Sequence, residues 1–295
     1  MIKNIIFFAT LIGVSLTGQI KLPEDIIFNK NAVDAENHWV IIKPKDTDKD
    51  KPFTLGFVYY DESGGGYSFR YGGELSYSNN EFQLSSLDNK GSMMITRIGN
   101  FSPFLAILSD KRLNDLKIDV VPSWLKGYSM NLSENEAKLR RASSLNGANR
   151  PDMALEILQK LYNNNYRTKD VYFELMFSYN ALKQYPDAAR IGKEAIAKGF
   201  DTNELIVKEA AYTAVHTEDW KTAEELAKLA FDFKNQKNKN EILYNLVYMY
   251  FSKGKYDEAS KWIEISKNKM GGDTEKAFRN LDAIQAEIIK KKESK

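Results

Sequence analysis

The sequence predicts an α+β multidomain fold. An N-terminal antiparallel β domain, built as a sandwich or small barrel, is followed by an all-α helical solenoid. Three observations carry this. A short pattern ending in alanine recurs four times, at Ala154, Ala188, Ala223 and Ala259, with spacings of 34, 35 and 36 residues. A period of that size marks stacked helical hairpins, none of which can bury its apolar face alone. The stretch from about Gln19 to Met130 instead reads as short β-rich runs separated by turn residues, at intervals of roughly ten residues. Ahead of both lies a short apolar run behind a single lysine.

That run, Ile5 to Leu16, follows Lys3 and is closed by Thr17-Gly18-Gln19. A charged start, a short apolar stretch and a small residue before a polar one predict a secretory signal peptide over residues 1–18, cut after Gly18. Twelve residues of helix span about 18 Å, short of the ~30 Å hydrocarbon core, so no stable membrane anchor is expected after cleavage. The chain has no cysteine, which removes lipidation through cysteine, disulfides, thiolate metal sites and cysteine nucleophiles. The expected location is the periplasm or the extracellular space. The domain boundaries predicted behind the signal peptide are 19–121 for the β domain, 122–132 for a linker and 133–295 for four hairpins with a cap helix.

Composition is that of a globular protein, with 43% hydrophobic and 28% charged residues. Residues 19–132 hold 13 Lys/Arg against 15 Asp/Glu, and residues 133–295 hold 28 against 25. Neither part has the basic excess of a phosphate-backbone binder, so no nucleic-acid partner is expected.

In the β part, His38–Lys43, Phe53–Tyr60, Tyr67–Tyr71, Glu74–Tyr77, Glu81–Leu84, Ser92–Ile98, Phe104–Leu108 and Lys117–Val121 are predicted strands. Asp61 to Gly66 is a turn between two of them, and Lys111–Leu116 is a short helical turn. Several patterns there resemble chemical motifs without completing them. Asp46, Asp48 and Asp50 are spaced as in a calcium loop, but Lys51 and Phe57 replace its required Gly and Glu, which leaves a solvated charged turn. Gly64-Gly65-Gly66 lies between strands and lacks the Lys-Ser/Thr of a phosphate loop. Ser123 and Lys126 have the spacing of a serine–lysine pair, without its companion elements. The two histidines, His38 and His216, fall in different halves, too few for a multi-histidine zinc site. No catalytic residue, metal site or cofactor is predicted.

Past Pro122, Trp124 reads as domain-joint packing. Ser133-x-x-Glu136 is a capping box that starts a helix at about Glu134. Pro151 suits the first turn of the partner helix. Tyr172, Leu175, Met176 and Tyr179 fall on one helical face. So do Val207, Ala210, Ala211 and Ala214, and then Leu243, Leu246, Val247 and Tyr250. Small residues at Ala188, Gly192 and Ala195 allow close helix approach, and Gly199 and Gly254 suit left-handed helix ends. Asp273 to Lys292 reads as a solvating cap helix.

These residues resemble the tetratricopeptide repeat family, which makes the expected solenoid tetratricopeptide-like. The fourth copy is closest to the pattern, with Leu243, Leu246, Tyr250, Gly254, Tyr256 and Ala259. The first departs from it, with Lys138 and Arg141 at apolar positions, and the third has Ala214 for the tyrosine. The resemblance covers about half the chain and implies binding of a protein or peptide on the concave surface of the first helices. Carried over by position, the groove would be lined by Phe173, Phe177, Asn180, Lys208, Tyr212, Tyr244, Tyr248 and Phe251. Tyr212 stands where an Asn of a carboxylate clamp would be, which argues against a C-terminal peptide clamp. The expected function is an exported, non-catalytic scaffold or adaptor. The alternative is an enzymatic or ligand-binding role, for example towards carbohydrate, in the β domain, with the repeats as support.

Overall fold

The computed structural model describes residues 22–44, 51–87, 94–97, 104–128 and 132–294. The predicted signal peptide and the triad Asp46, Asp48 and Asp50 lie outside the described residues. The described residues form two compact units. One holds the chain up to Tyr59, then Phe69–Thr96 and the stretch on to Pro122; the other holds Tyr60–Ser68, Arg97 and the chain from Ser123 onward.

An open antiparallel sheet of six strands lies in the first unit except for the ends of β2, β3 and β5 at Tyr60–Ser68 and Arg97: β1 (His38–Ile42), β2 (Phe53–Asp61), β3 (Gly66–Ser78), β4 (Glu81–Leu87), β5 (Ile95–Arg97) and β6 (Leu105–Ile107). Their order is β4-β3-β2-β1-β6, with β5 pairing to β3. β1 takes both β2 and β6 antiparallel, with Trp39 opposite Phe57 and Ile41 opposite Ala106. Val40, Ile41, Leu55, Phe57, Tyr59 and Leu75 are fully buried, and the Trp39 and Phe57 rings meet edge to face at 5.4 Å. A helix, α1 (Asp110–Asp115), is capped by Ser109.

A single open sheet replaces the expected sandwich or small barrel, for two local reasons. Tyr67–Tyr71 and Glu74–Tyr77 are not separate strands but parts of the 13-residue β3. The Gly72-Gly73 pair that reads as a break fits inside that strand, because a β-carbon at Gly72 would lie 2.4 Å from the Trp39 ring. Nor is Lys117–Val121 a strand. Lys117 sits at φ 57°, in the left-handed region, and the Asp119 carbonyl accepts a hydrogen bond from Trp39 Nε1 at 2.9 Å.

The second unit is helical. Its helices are α2 (Glu134–Gly147), α3 (Pro151–Asn163), α4 (Lys169–Ala181), α5 (Tyr185–Ala197), α6 (Glu204–His216), α7 (Trp220–Leu229), α8 (Gln236–Ser252), α9 (Tyr256–Lys269) and α10 (Glu275–Glu293). A 3₁₀ turn over Ser123–Tyr128 precedes them, with Trp124 half-buried and edge-on to Tyr128. α2 pairs with α3, α4 with α5, α6 with α7 and α8 with α9. The first helix of each pair also touches the next, through α2–α4, α4–α6 and α6–α8, and α10 lies against α8 and α9.

The boundaries follow from capping. Ser133 and Glu136 form the capping box of α2. Thr168, Asn203 and Asn235 cap α4, α6 and α8 through their side chains. Within the pairs, the turn residues Asn149, Lys183, Glu218 and Gly254 all have φ between 56° and 72°. This left-handed residue recurs with the same 34-, 35- and 36-residue spacing as the alanines. Most of these helices have 13 or 14 residues, a length that is marginal in isolation. Their packed face holds them: Ala154, Ala188, Ala195, Val207, Ala227, Leu243 and Ala259 are fully buried, and burial of each larger aliphatic side chain is worth roughly 1.5–3 kcal/mol.

Candidate functional site

The residues with the best claim to a partner lie on the first helices α4, α6 and α8. Aligned by the repeat, Phe173, Lys208 and Tyr244 share one position, and Phe177, Tyr212 and Tyr248 share the next turn of the same helical face. On α4 the half-buried Phe173 and Phe177 rings are 6.4 Å apart. On α8 Tyr244 and Tyr248 stack at 6.3 Å with 17° between their planes, and Tyr248 is 48% exposed. Tyr212 packs against His216 at 4.3 Å, and His216 in turn stacks on Tyr185 at 4.6 Å with the rings 4° from parallel. Burial, then the nearby Lys253 and Lys183 charges, hold the His216 imidazole below its usual pKa. Phe251 is half-buried beside Tyr256, 6.1 Å away.

Two of the eight predicted groove residues are already engaged within the chain. Lys208 Nζ lies 3.7 Å from Glu209 Oε1 and 3.7 Å from Glu241 Oε2, bridging α6 to α8. Asn180 is inside the helical packing, 5% exposed. Its Nδ2 donates to the Glu209 carbonyl at 3.1 Å and to Glu209 Oε2 at 3.0 Å, and its Oδ1 accepts from Thr213 Oγ1 at 2.8 Å. Asn180 therefore joins helices, while the six aromatic residues retain accessible surface.

The same buried motif occurs one pair earlier. Asn146 Nδ2 donates to the Glu174 carbonyl and to Glu174 Oε2, at 3.2 and 2.7 Å, and Asn146 Oδ1 accepts from Ser178 Oγ at 2.8 Å. Burial pushes the Glu209 carboxyl above its usual pKa, against the opposing pull of Asn180 and Lys208. The repeat alignment places Val215, Asn245 and Met249 at the corresponding positions of the α6–α8 seam. There Glu224, on α7, accepts from Tyr250 at 2.8 Å and Trp262 at 2.9 Å. Sequence reasoning missed this ladder, although its signal was available: Asn146 and Asn180, and Glu174 and Glu209, recur at the repeat spacing.

A cleft of about 240 Å³ lies between α5, α6 and α7, lined by Ala188, Gly192 and Ala210 with Thr213, Thr217 and Thr222. Its threonines hydrogen-bond within the helices, Thr217 to the Thr213 carbonyl and Thr222 to Asp219. Among the described residues no group of three His, Asp or Glu side chains is placed to hold a metal ion, and no helix is long and apolar enough to cross a membrane. Ser123 and Lys126 are both exposed on their 3₁₀ turn. Among the described residues of the sheet the one buried carboxylate is Asp61, at the end of β2. The sheet unit carries an aromatic belt: Phe28 with Phe53 and Phe53 with Phe82, each at 6.2 Å, and Phe82 with Tyr77 at 4.8 Å.

The molecule is thus an antiparallel sheet followed by paired helices, of whose first members α4, α6 and α8 carry partly exposed aromatic side chains. Neither protein-family models nor curated proteins give a match to this chain.

Proposed function

We propose that this chain is an exported, non-catalytic scaffold or adaptor that engages a protein or peptide through its tetratricopeptide-like helical repeats. The observation that carries the reading is the recurrence of accessible aromatic rings at equivalent positions of successive first helices, from Phe173 and Phe177 through Tyr212 to Tyr244 and Tyr248. Aromatic side chains supply contact area at low entropic cost and dominate binding hot spots. An aromatic surface repeated along several helices suits a chain segment laid across them better than a small polar ligand.

The test is capture from a native envelope extract by the full mature chain and by its Phe177→Ala/Tyr248→Ala variant. Two lost anchors of at least 2 kcal/mol each would abolish capture, with helicity by circular dichroism unchanged. Undiminished capture by the variant would remove the groove from the account.

A second reading is favoured by the aromatic belt of the sheet unit, where Lys43 stands over Phe28 and Arg112 over Phe82. Half-exposed rings of this kind also suit carbohydrate. Loss of glycan binding on Phe82→Ala in the full chain would support it, and a glycan screen without binders would dismiss it.

A further inference from the structure

Every first helix in the array needs something on the side facing the start of the chain. For α4 and α6 that neighbour is the preceding first helix, and the chemistry is the same in both cases. An Asn amide bonds a backbone carbonyl one turn before a hydroxyl residue, at Glu174 and Glu209, and also bonds that hydroxyl, on Ser178 and Thr213. α2 carries the corresponding positions at Arg140 and Ser144, but among the described residues no helical pair precedes it. What occupies the place is the tip of the β2–β3 hairpin, Tyr60–Ser68, which belongs to the same compact unit as the helices.

The match covers two of the contacts that each Asn makes, the backbone carbonyl and the hydroxyl, and not the Glu carboxylate. Tyr60 Oη donates to the Arg140 carbonyl at 3.2 Å and lies 3.0 Å from Ser144 Oγ. These are the two partners that Asn146 and Asn180 take one and two repeats later. Ser144 Oγ donates to the Gly65 carbonyl at 2.9 Å, and Arg140 Nη1 donates to the Glu62 carbonyl at 3.1 Å. Arg141, at a position the repeat pattern gives to an apolar residue, lays its guanidinium over the Tyr60 ring at 4.6 Å and the Tyr67 ring at 5.2 Å.

The tip is held in shape from within. Asp61 accepts from Ser63 Oγ at 2.6 Å, from the Gly64 amide at 3.0 Å and from Arg97 at 3.2 Å, while Arg97 also donates to the Gly66 carbonyl at 3.0 Å. Burial opposes ionisation of Asp61, but these donors outweigh it and hold its carboxyl below the usual range.

We propose that the 60–68 tip is the N-terminal cap of the helical array, with Tyr60 standing in for the Asn of a preceding repeat. Repeat arrays require a specialised terminal unit. Here the hairpin tip supplies it, and Arg140 and Arg141 of α2 are its docking groups.

The test is native-state hydrogen exchange on the full chain with Tyr60→Phe, Ser144→Ala and the double variant. The cap predicts that amides of α2 and α3 exchange about tenfold faster in each single variant, the loss expected for one severed, partly buried hydrogen-bond link. It also predicts that the double variant exchanges faster than either single one, because Tyr60→Phe cuts the bond to the Arg140 carbonyl and Ser144→Ala the bond to the Gly65 carbonyl, and that α8 and α9 keep their protection. Alanine is a better helix former than serine. Unchanged or increased protection of α2 in Ser144→Ala would therefore overturn the proposal, and so would a loss spread evenly over all the helices.

Discussion

Glu209, on α6, is an acidic side chain held inside the helical packing. It is 7% exposed, and burial holds its pKa above the ordinary 4.5. A carboxyl with a higher pKa folded than unfolded binds its proton more tightly in the native state, so its ionisation weakens the fold as pH rises past the unfolded value. Glu209→Gln keeps an oxygen for Asn180 and removes the charge. The variant should have a higher urea midpoint than the parent near neutral pH, with the difference closing towards about pH 4; a constant difference would mean that ionisation is not its source. Asn180 is the opposite case, a neutral group whose loss strands its partners. Asn180→Ala leaves Glu209 Oε2 without that donor and Thr213 without that acceptor, and should cost about 2 kcal/mol in urea unfolding.

At the scale of elements, the turns inside the helical pairs use one backbone device with different residues. Gly254 adopts its left-handed conformation freely, whereas Lys183 adopts it against a Cβ penalty of about 1 kcal/mol. Lys183→Gly should therefore stabilise the chain by about 0.5–1 kcal/mol, read as a raised urea midpoint, and a drop would show that the Lys183 side chain contributes more than its backbone costs. Helix positions were legible in the sequence because caps and a 3.6-residue apolar period coincide, as at Ser133, Pro151 and Gly199. Strands were less so. Gly72-Gly73 reads as a break when only local preference is considered, and its purpose appears once Trp39, more than thirty residues earlier, lies against it. Lys117–Val121 has strand composition, but a left-handed Lys117 and the bond from Trp39 to Asp119 shape it. In the candidate site the aromatic positions could be read from the repeat. The burial of Asn180 could not, because an amide facing a partner and an amide joining two helices leave the same mark in one sequence.

At the scale of the molecule, the chain enters the helical unit before it reaches the helices, through the hairpin tip at 60–68 and Arg97. A boundary drawn between strands and helices along the sequence would cut this unit. A fragment beginning at Ser133 lacks Tyr60, Arg97 and the Tyr128 carbonyl that receives the Glu62 amide. It should melt at a lower temperature than the helical unit of the full chain, with the loss concentrated in α2 and α3; equal melting would show that the tip contributes nothing to the array.

The identical seams on either side of α4 have one more consequence. Because Asn146 and Asn180 meet the same kinds of group, the 34 residues 147–180 are chemically redundant at their two ends. Excising them would join α2, ending at Asn146, through Ala181 and the turn at Lys183 to α5, and bring Asn146 opposite Glu209 and Thr213, the partners Asn180 leaves behind. The chain is therefore written so that it can be shortened by one whole repeat without rewriting a joint, and the same arithmetic allows it to be lengthened there.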